Sequence, residues 1–102
     1  MPDTANTEGY LVIVSSRLVS PTDGQRFLEL SRETQAWLAK RPGFLRYELY
    51  RTRDGWMDTM LWATAEQAVA GNTDFQTTSP AREFAKIVDP TWVGHGGSRV
   101  QL

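Results

Sequence analysis

Cysteine is missing altogether from these 102 residues. Its absence excludes disulfides, thiolate metal sites and cysteine nucleophiles together, and it fits a reducing compartment. Histidine occurs once, at His95, while Asp74 and Asp89 sit in separate segments without ligand spacing, so no metal centre is expected. An excess of charge is lacking too. Eleven basic and twelve acidic side chains leave a net charge of −1, which gives no electrostatic footprint for nucleic acid or an anionic membrane. No apolar run approaches the ~18 residues of a membrane span. The opening MPDTANTEG lacks the basic and apolar regions of a secretory signal, so an uncleaved cytoplasmic protein is expected. A Gly-rich phosphate loop, a GxSxG motif and a triad set are absent as well.

What is present is concentrated between Arg41 and Trp62, RPGFLRYELYRTRDGWMDTMLW. Pro42 cannot continue a helix and Gly43 supplies the positive φ that closes one, so a helix ends here. Two extended runs follow, separated by Asp54-Gly55, a dipeptide suited to a two-residue type I′ hairpin. That turn would set Arg53 opposite Trp56, Arg51 opposite Asp58, Leu49 opposite Met60 and Tyr47 opposite Trp62, all on one face. The other face would carry Arg46, Glu48, Tyr50 and Thr52 against Met57, Thr59, Leu61 and Ala63, half apolar and too apolar to be wholly solvated.

Around this hairpin the remaining elements fall into place. Residues 1–8 are polar and read as a disordered tail, leaving 9–102 as a single domain with one core. Gly9 to Val19 is β-branched and apolar on both alternating sets until Ser15, Ser16 and Arg17, as expected of a central strand covered on two sides. Pro21 to Lys40 places Phe27, Leu30, Thr34, Trp37 and Leu38 at helical spacing, with Thr22 and Gln25 spaced as a capping box. Thr64 and Gln67 make a second capping box before Ala68, Asn72 and Phe75, in a helix that Gly71 weakens by ~1 kcal/mol and could break. Ser79-Pro80 restarts a helix through Phe84, Ile87 and Val88, which Asp89-Pro90 stops. A final strand spans about Thr91 to Val100. The order β-α-β-β-α-β with right-handed crossovers puts the first strand beside the third. The fold class is therefore α+β, a ferredoxin-like antiparallel sheet with its helices on one face. The uncovered, half-apolar face invites a homodimer that packs two sheets together.

PGFLRYELYR, the DG hairpin, a strand ending in Trp62, a capped helix and a final strand after Asp89-Pro90 together resemble the antibiotic biosynthesis monooxygenase family, from about Gly9 to Val100. The resemblance implies a dimeric α/β barrel. It also implies a cofactor-independent monooxygenase that takes molecular oxygen and a small aromatic or polycyclic phenol, with no cofactor, to a quinone. Quinone-forming members pair the closing tryptophan with an asparagine four residues earlier and a tyrosine six residues later; here the positions read Trp62, Asp58 and Ala68. Their helical arginine has no secure counterpart, although Arg82 and Lys86 lie nearby. A haem-degrading branch uses asparagine, tryptophan and a histidine, and those positions read Ser16, Trp62 and Asn72, without the iron ligand.

Oxygenation without metal or flavin needs an aromatic slot that holds an electron-rich phenolate and helps remove its proton. Trp62, Asp58 and Asn72 are the expected catalytic group, with Tyr47, Ser16, Met60, Trp37 and Phe84 contacting substrate. Each has a plainer reading. Trp62 with Tyr47 could be a packing pair, Asp58 an ion-pair partner of Arg51, and Asn72 a cap beside Gly71. His95, in GHGG, reads more simply as an edge or interface residue. A non-catalytic small-ligand binding or stress-related protein on the same fold is the alternative function, and haem binding ranks behind both.

Overall fold

Tyr10–Ser16 forms strand β1 in the computed structural model, which describes residues 9–102. The expected tail at residues 1–8 lies outside the described residues. Val12 and Val14 of β1 face the helices, while Leu11 and Ile13 face the other way, which accounts for the unbroken apolar run from Tyr10 to Val14 before Ser15 and Ser16. A short 3₁₀ turn, Pro21–Asp23, then leads into α1, Gly24–Leu38. The Thr22–Gln25 capping box does not form. Pro21 fixes the first turn one residue earlier, so Ser20 accepts the Thr22 N–H, and the Thr22 hydroxyl is held by Ser20 Oγ at 2.8 Å. Helix α1 buries Phe27, Leu30, Ser31, Thr34 and Leu38 along one face. The two hydroxyls of that stripe donate to the carbonyls of Phe27 and Leu30, both at 2.8 Å, and so carry no unpaired group into the core.

Gly43, at φ +80°, closes the loop after α1 as its sequence position requires. Strands β2, Phe44–Arg51, and β3, Trp56–Trp62, follow. Their register differs from the expected one by two residues: Arg51 pairs with Trp56, Leu49 with Asp58 and Tyr47 with Met60. Neither Asp54 nor Gly55 has positive φ, so a type I′ turn is not formed. The loop is wider, closed by the Thr52 N–H on the Gly55 carbonyl at 2.9 Å and the Gly55 N–H on Thr52 Oγ1 at 3.0 Å. A slip of two residues preserves the face of every side chain, which is why the faces match the expectation and the pairs do not. A bulge between Phe44 and Arg46 gives Phe44 the place opposite Trp62 expected of Tyr47, with the rings edge-to-face at 5.2 Å.

Helix α2, Ala65–Phe75, starts at Thr64, whose hydroxyl accepts the Gln67 N–H at 3.2 Å. It continues unbroken through Gly71, where a side chain would occupy the space of the Trp62 ring, so the glycine serves close packing rather than a helix break. Helix α3, Ser79–Ile87, is capped by Thr78 and gives way to β4, Val93–Ser98. The four strands are antiparallel in the order β2-β3-β1-β4, and the helices cover one side. This is the α+β ferredoxin-like arrangement. Leu38, Trp62 and Ala68 form its packed centre, with Val12, Met60 and Phe44 against them.

Candidate active site

Between the covered sheet face and the helices lies a cavity of about 460 Å³, within the ~300–1,000 Å³ usual for small-molecule sites. Val12, Val14, Asp58 and Met60 line it from the sheet, Phe27, Thr34 and Leu38 from α1, and Ala68, Gly71 and Phe75 from α2. Trp62 is only 2% exposed yet forms part of the wall, so it packs the core and bounds the cavity at once. Gly71 makes this wall: with no side chain there, α2 lies directly on the indole.

Ser16, Asp58, Met60, Trp62, Asn72 and Phe84 meet around this space. Tyr47 and Trp37 do not. Tyr47 stands behind Asp58 and donates its hydroxyl to Asp58 Oδ2 at 3.0 Å. Trp37 packs edge-to-face on Phe75 at 5.5 Å and carries the Arg41 guanidinium 4.9 Å over its ring, because the turn of α1 directs it past the end of the cavity. Asn72 lines the cavity but is exposed, so it stands at the rim rather than on a buried face. Trp92 was not among the expected residues, yet it lines the cavity while 55% exposed. It precedes a strand in an irregular loop, where no periodicity marks it.

Asp58 is the electrostatic centre. The expected ion pair with Arg51 is not formed, since the shifted register sets Arg51 beside Trp56, with its guanidinium 4.7 Å over that ring. Burial raises the Asp58 carboxyl to about 6, against a smaller downward pull from the Tyr47 hydrogen bond. Burial, and then the Asp58 charge, also push the Tyr47 hydroxyl upwards, so it stays a proton donor to Oδ2. The second oxygen, Oδ1, is buried and has no hydrogen-bond partner among the described residues. An unsatisfied buried carboxylate oxygen beside an apolar cavity is suited to take a hydrogen bond, and then a proton, from a ligand hydroxyl. His95 lies on the opposite sheet face, in a broad groove of about 730 Å³ with Leu11, Ile13, Leu45 and Leu61. No imidazole therefore reaches the cavity to hold a haem iron, and the residues present do not fit that group.

No protein-family model and no curated protein matches the sequence. Among solved structures the chain is similar to SnoaB, a cofactor-independent oxygenase from Streptomyces nogalater. Identity is 16% over 93% of this chain and 96% of that one, with a TM-score of 0.78. It is also similar to a Nitrosomonas europaea protein proposed to be an antibiotic biosynthesis monooxygenase, at 17% identity over 90% of each chain and a TM-score of 0.71. Rv0793 from Mycobacterium tuberculosis gives 10% identity over 92% and 97% of the chains, with a TM-score of 0.75. At these identities the likeness establishes the fold, which is that of the antibiotic biosynthesis monooxygenases.

Proposed function

We propose that this protein, with the fold of the antibiotic biosynthesis monooxygenases, is a cofactor-independent monooxygenase that oxidises a small aromatic or polycyclic phenol to a quinone with molecular oxygen. The carrying observation is Asp58, whose Oδ1 is buried without a partner in an apolar cavity bounded by Trp62. In this reading Oδ1 takes the proton of the ring hydroxyl, and Tyr47 keeps the carboxylate aimed by holding Oδ2. The phenolate gives one electron to oxygen, and the radical pair couples at the ring carbon opposite the hydroxyl. The peroxide anion then recovers the proton from Asp58. Loss of the ring C–H proton and cleavage of the O–O bond release water and leave the second carbonyl. One oxygen molecule and one hydroxyarene thus give one quinone and one water. Trp62, Phe84 and Met60 would hold the flat ring in a mainly apolar slot, with Ser16 and Asn72 contacting its polar edge.

The test is oxygen consumption with simple hydroxynaphthalene and anthrol substrates. Uptake matched mole for mole by quinone, reduced ~10²-fold or more in Asp58→Asn, supports the reading. Wild-type turnover retained by Asp58→Asn, Trp62→Phe and Asn72→Ala alike would remove it. A second reading, a non-catalytic ligand-binding protein, draws on Asp58 and Ala68 standing where the quinone-forming enzymes of the resemblance carry asparagine and tyrosine; binding without oxygen uptake would favour it. The working form we propose is a cytoplasmic homodimer joined through the uncovered sheet face, where Leu11, Ile13 and Leu61 line the groove.

A further inference from the structure

Asp58 is the one ionisable side chain among the described residues lining the cavity; its other polar lining groups are Ser16, Thr34, Asn72, Gln76 and the indole N–H groups of Trp62 and Trp92. No arginine lines the cavity among the described residues, and four are engaged elsewhere: Arg51 lies over Trp56, Arg41 pairs with Asp74, Arg26 pairs with Glu29 and Glu83, and Arg82 donates to the Thr77 carbonyl at 3.0 Å. A ligand carboxylate entering this space would meet a like charge and no cation, in a setting where solvent screens poorly. A ligand ammonium would give up the hydration of a full charge and bring three donors, of which Asp58 Oδ1 takes one while the others must reach Ser16, Asn72 or Gln76 or go unpaired. A neutral hydroxyl brings a single donor for Asp58 Oδ1 and leaves nothing unpaired.

Building on the oxygenase reading of this cavity, we infer that Asp58 is also its specificity determinant: the site accepts uncharged hydroxyarenes and rejects aromatic compounds that carry a carboxylate. Tyr47 sharpens this by occupying Oδ2, so that a single acceptor atom meets the ligand. The flat aromatic lining of Trp62, Phe84, Phe75 and Trp92 binds the ring, and the carboxylate decides which substituents may accompany it.

The experiment is calorimetric titration of the full chain at pH 8 with three probes of one skeleton: 2-naphthol, 2-naphthoate and 2-naphthylmethylammonium. The naphthol should bind at least about 30-fold more tightly than the naphthoate, and also more tightly than the ammonium compound. In Asp58→Asn, which keeps the side-chain volume and removes the charge, the naphthoate should gain at least about tenfold while the naphthol weakens. A thermal melt checks that the variant is folded, and Asp58→Ser serves if it is not. Equal binding of naphthol and naphthoate by the wild type, tighter binding of the ammonium probe, a gap unchanged by both substitutions, or no naphthol binding at all would each overturn the inference. Binding is read without oxygen chemistry. Charge discrimination without oxygen uptake would sink only the oxygenase reading, and oxygen uptake with equal use of carboxylated substrates would sink only the specificity.

Discussion

Asp58 carries a cost that its surroundings do not offset. A carboxylate raised from 3.8 to about 6 by burial binds its proton more tightly in the folded than in the unfolded chain. Its stabilising contribution is therefore fully present below pH 3.8 and is lost as pH rises through about 6. Above that point the ionised group is less well solvated than in the unfolded chain, by about 2–3 kcal/mol. Asp58→Asn, which can still accept the Tyr47 hydrogen bond, should therefore be more stable than wild type at pH 8, with the advantage shrinking at pH 5. Urea unfolding at the two pH values measures this; an identical difference at both would show that Asp58 is not buried as described. The same titration should appear in turnover, with kcat/KM rising through about pH 6 as the base ionises. Trp62 separates two roles differently. Trp62→Phe keeps most of the aromatic volume and removes the indole N–H, so unfolding free energy should fall by about 1 kcal/mol. Turnover of a hydroxyarene should drop much further, and a variant with unchanged turnover would make Trp62 packing alone.

At the scale of elements, α2 shows how a locally weak choice is fixed by its neighbour. Alanine favours a helix over glycine by ~1 kcal/mol, so propensity alone argues that Gly71→Ala should stabilise. The added methyl would meet the buried Trp62 ring, and overpacking of that kind costs ~1–3 kcal/mol. The clash wins, because the ring is fixed by Leu38 and Ala68 and cannot swing aside. Gly71→Ala should lower the thermal midpoint and shrink the cavity, while Ala70→Gly, one position away and exposed, should cost only its propensity. Thermal melts of the pair decide between packing and propensity. Gly71 was legible in the sequence only as a weakness. Local chemistry was an uneven guide: Gly43 takes its positive φ and Thr64 caps α2, but α1 already ends at Leu38 with Ala39 as its cap, four residues before Gly43, and Thr22 does not form its box. The hairpin register was not legible, because Asp54-Gly55 allows a two-residue turn without requiring one, and the wider loop is closed by Thr52 and Gly55. That slip separates Asp58 from Arg51 and hides its bond to Tyr47, which also required the partner across the strand to be known. The faces survived the slip, so Asp58, Met60 and Trp62 were correctly grouped. Trp92 was missed because it reaches the cavity from a loop.

For the molecule as a whole, the two sides of the sheet divide the work. Helices cover one side and leave a cavity within it. The other side presents Leu11, Ile13, Leu61 and Leu45 along a groove, Leu45 being 57% exposed, and Tyr50 elsewhere on β2 is 44% exposed. Apolar side chains gathered on one uncovered face favour association over solvation, and stable pairing buries ~800 Å² from each partner. Sedimentation at micromolar concentration should give about twice the chain mass, and the thermal midpoint should rise with protein concentration. Ile13→Lys places a charge at the centre of that face, where β1 is flanked by β3 and β4, without entering the helix-covered cavity. It should give a monomer with an unchanged far-ultraviolet spectrum and a lower midpoint. A wild-type protein that sedimented as a monomer would detach the barrel from the fold. The strand order and the Asp58 cavity would still stand, because both are built within one chain, and substrate binding would then have to be complete without a second copy.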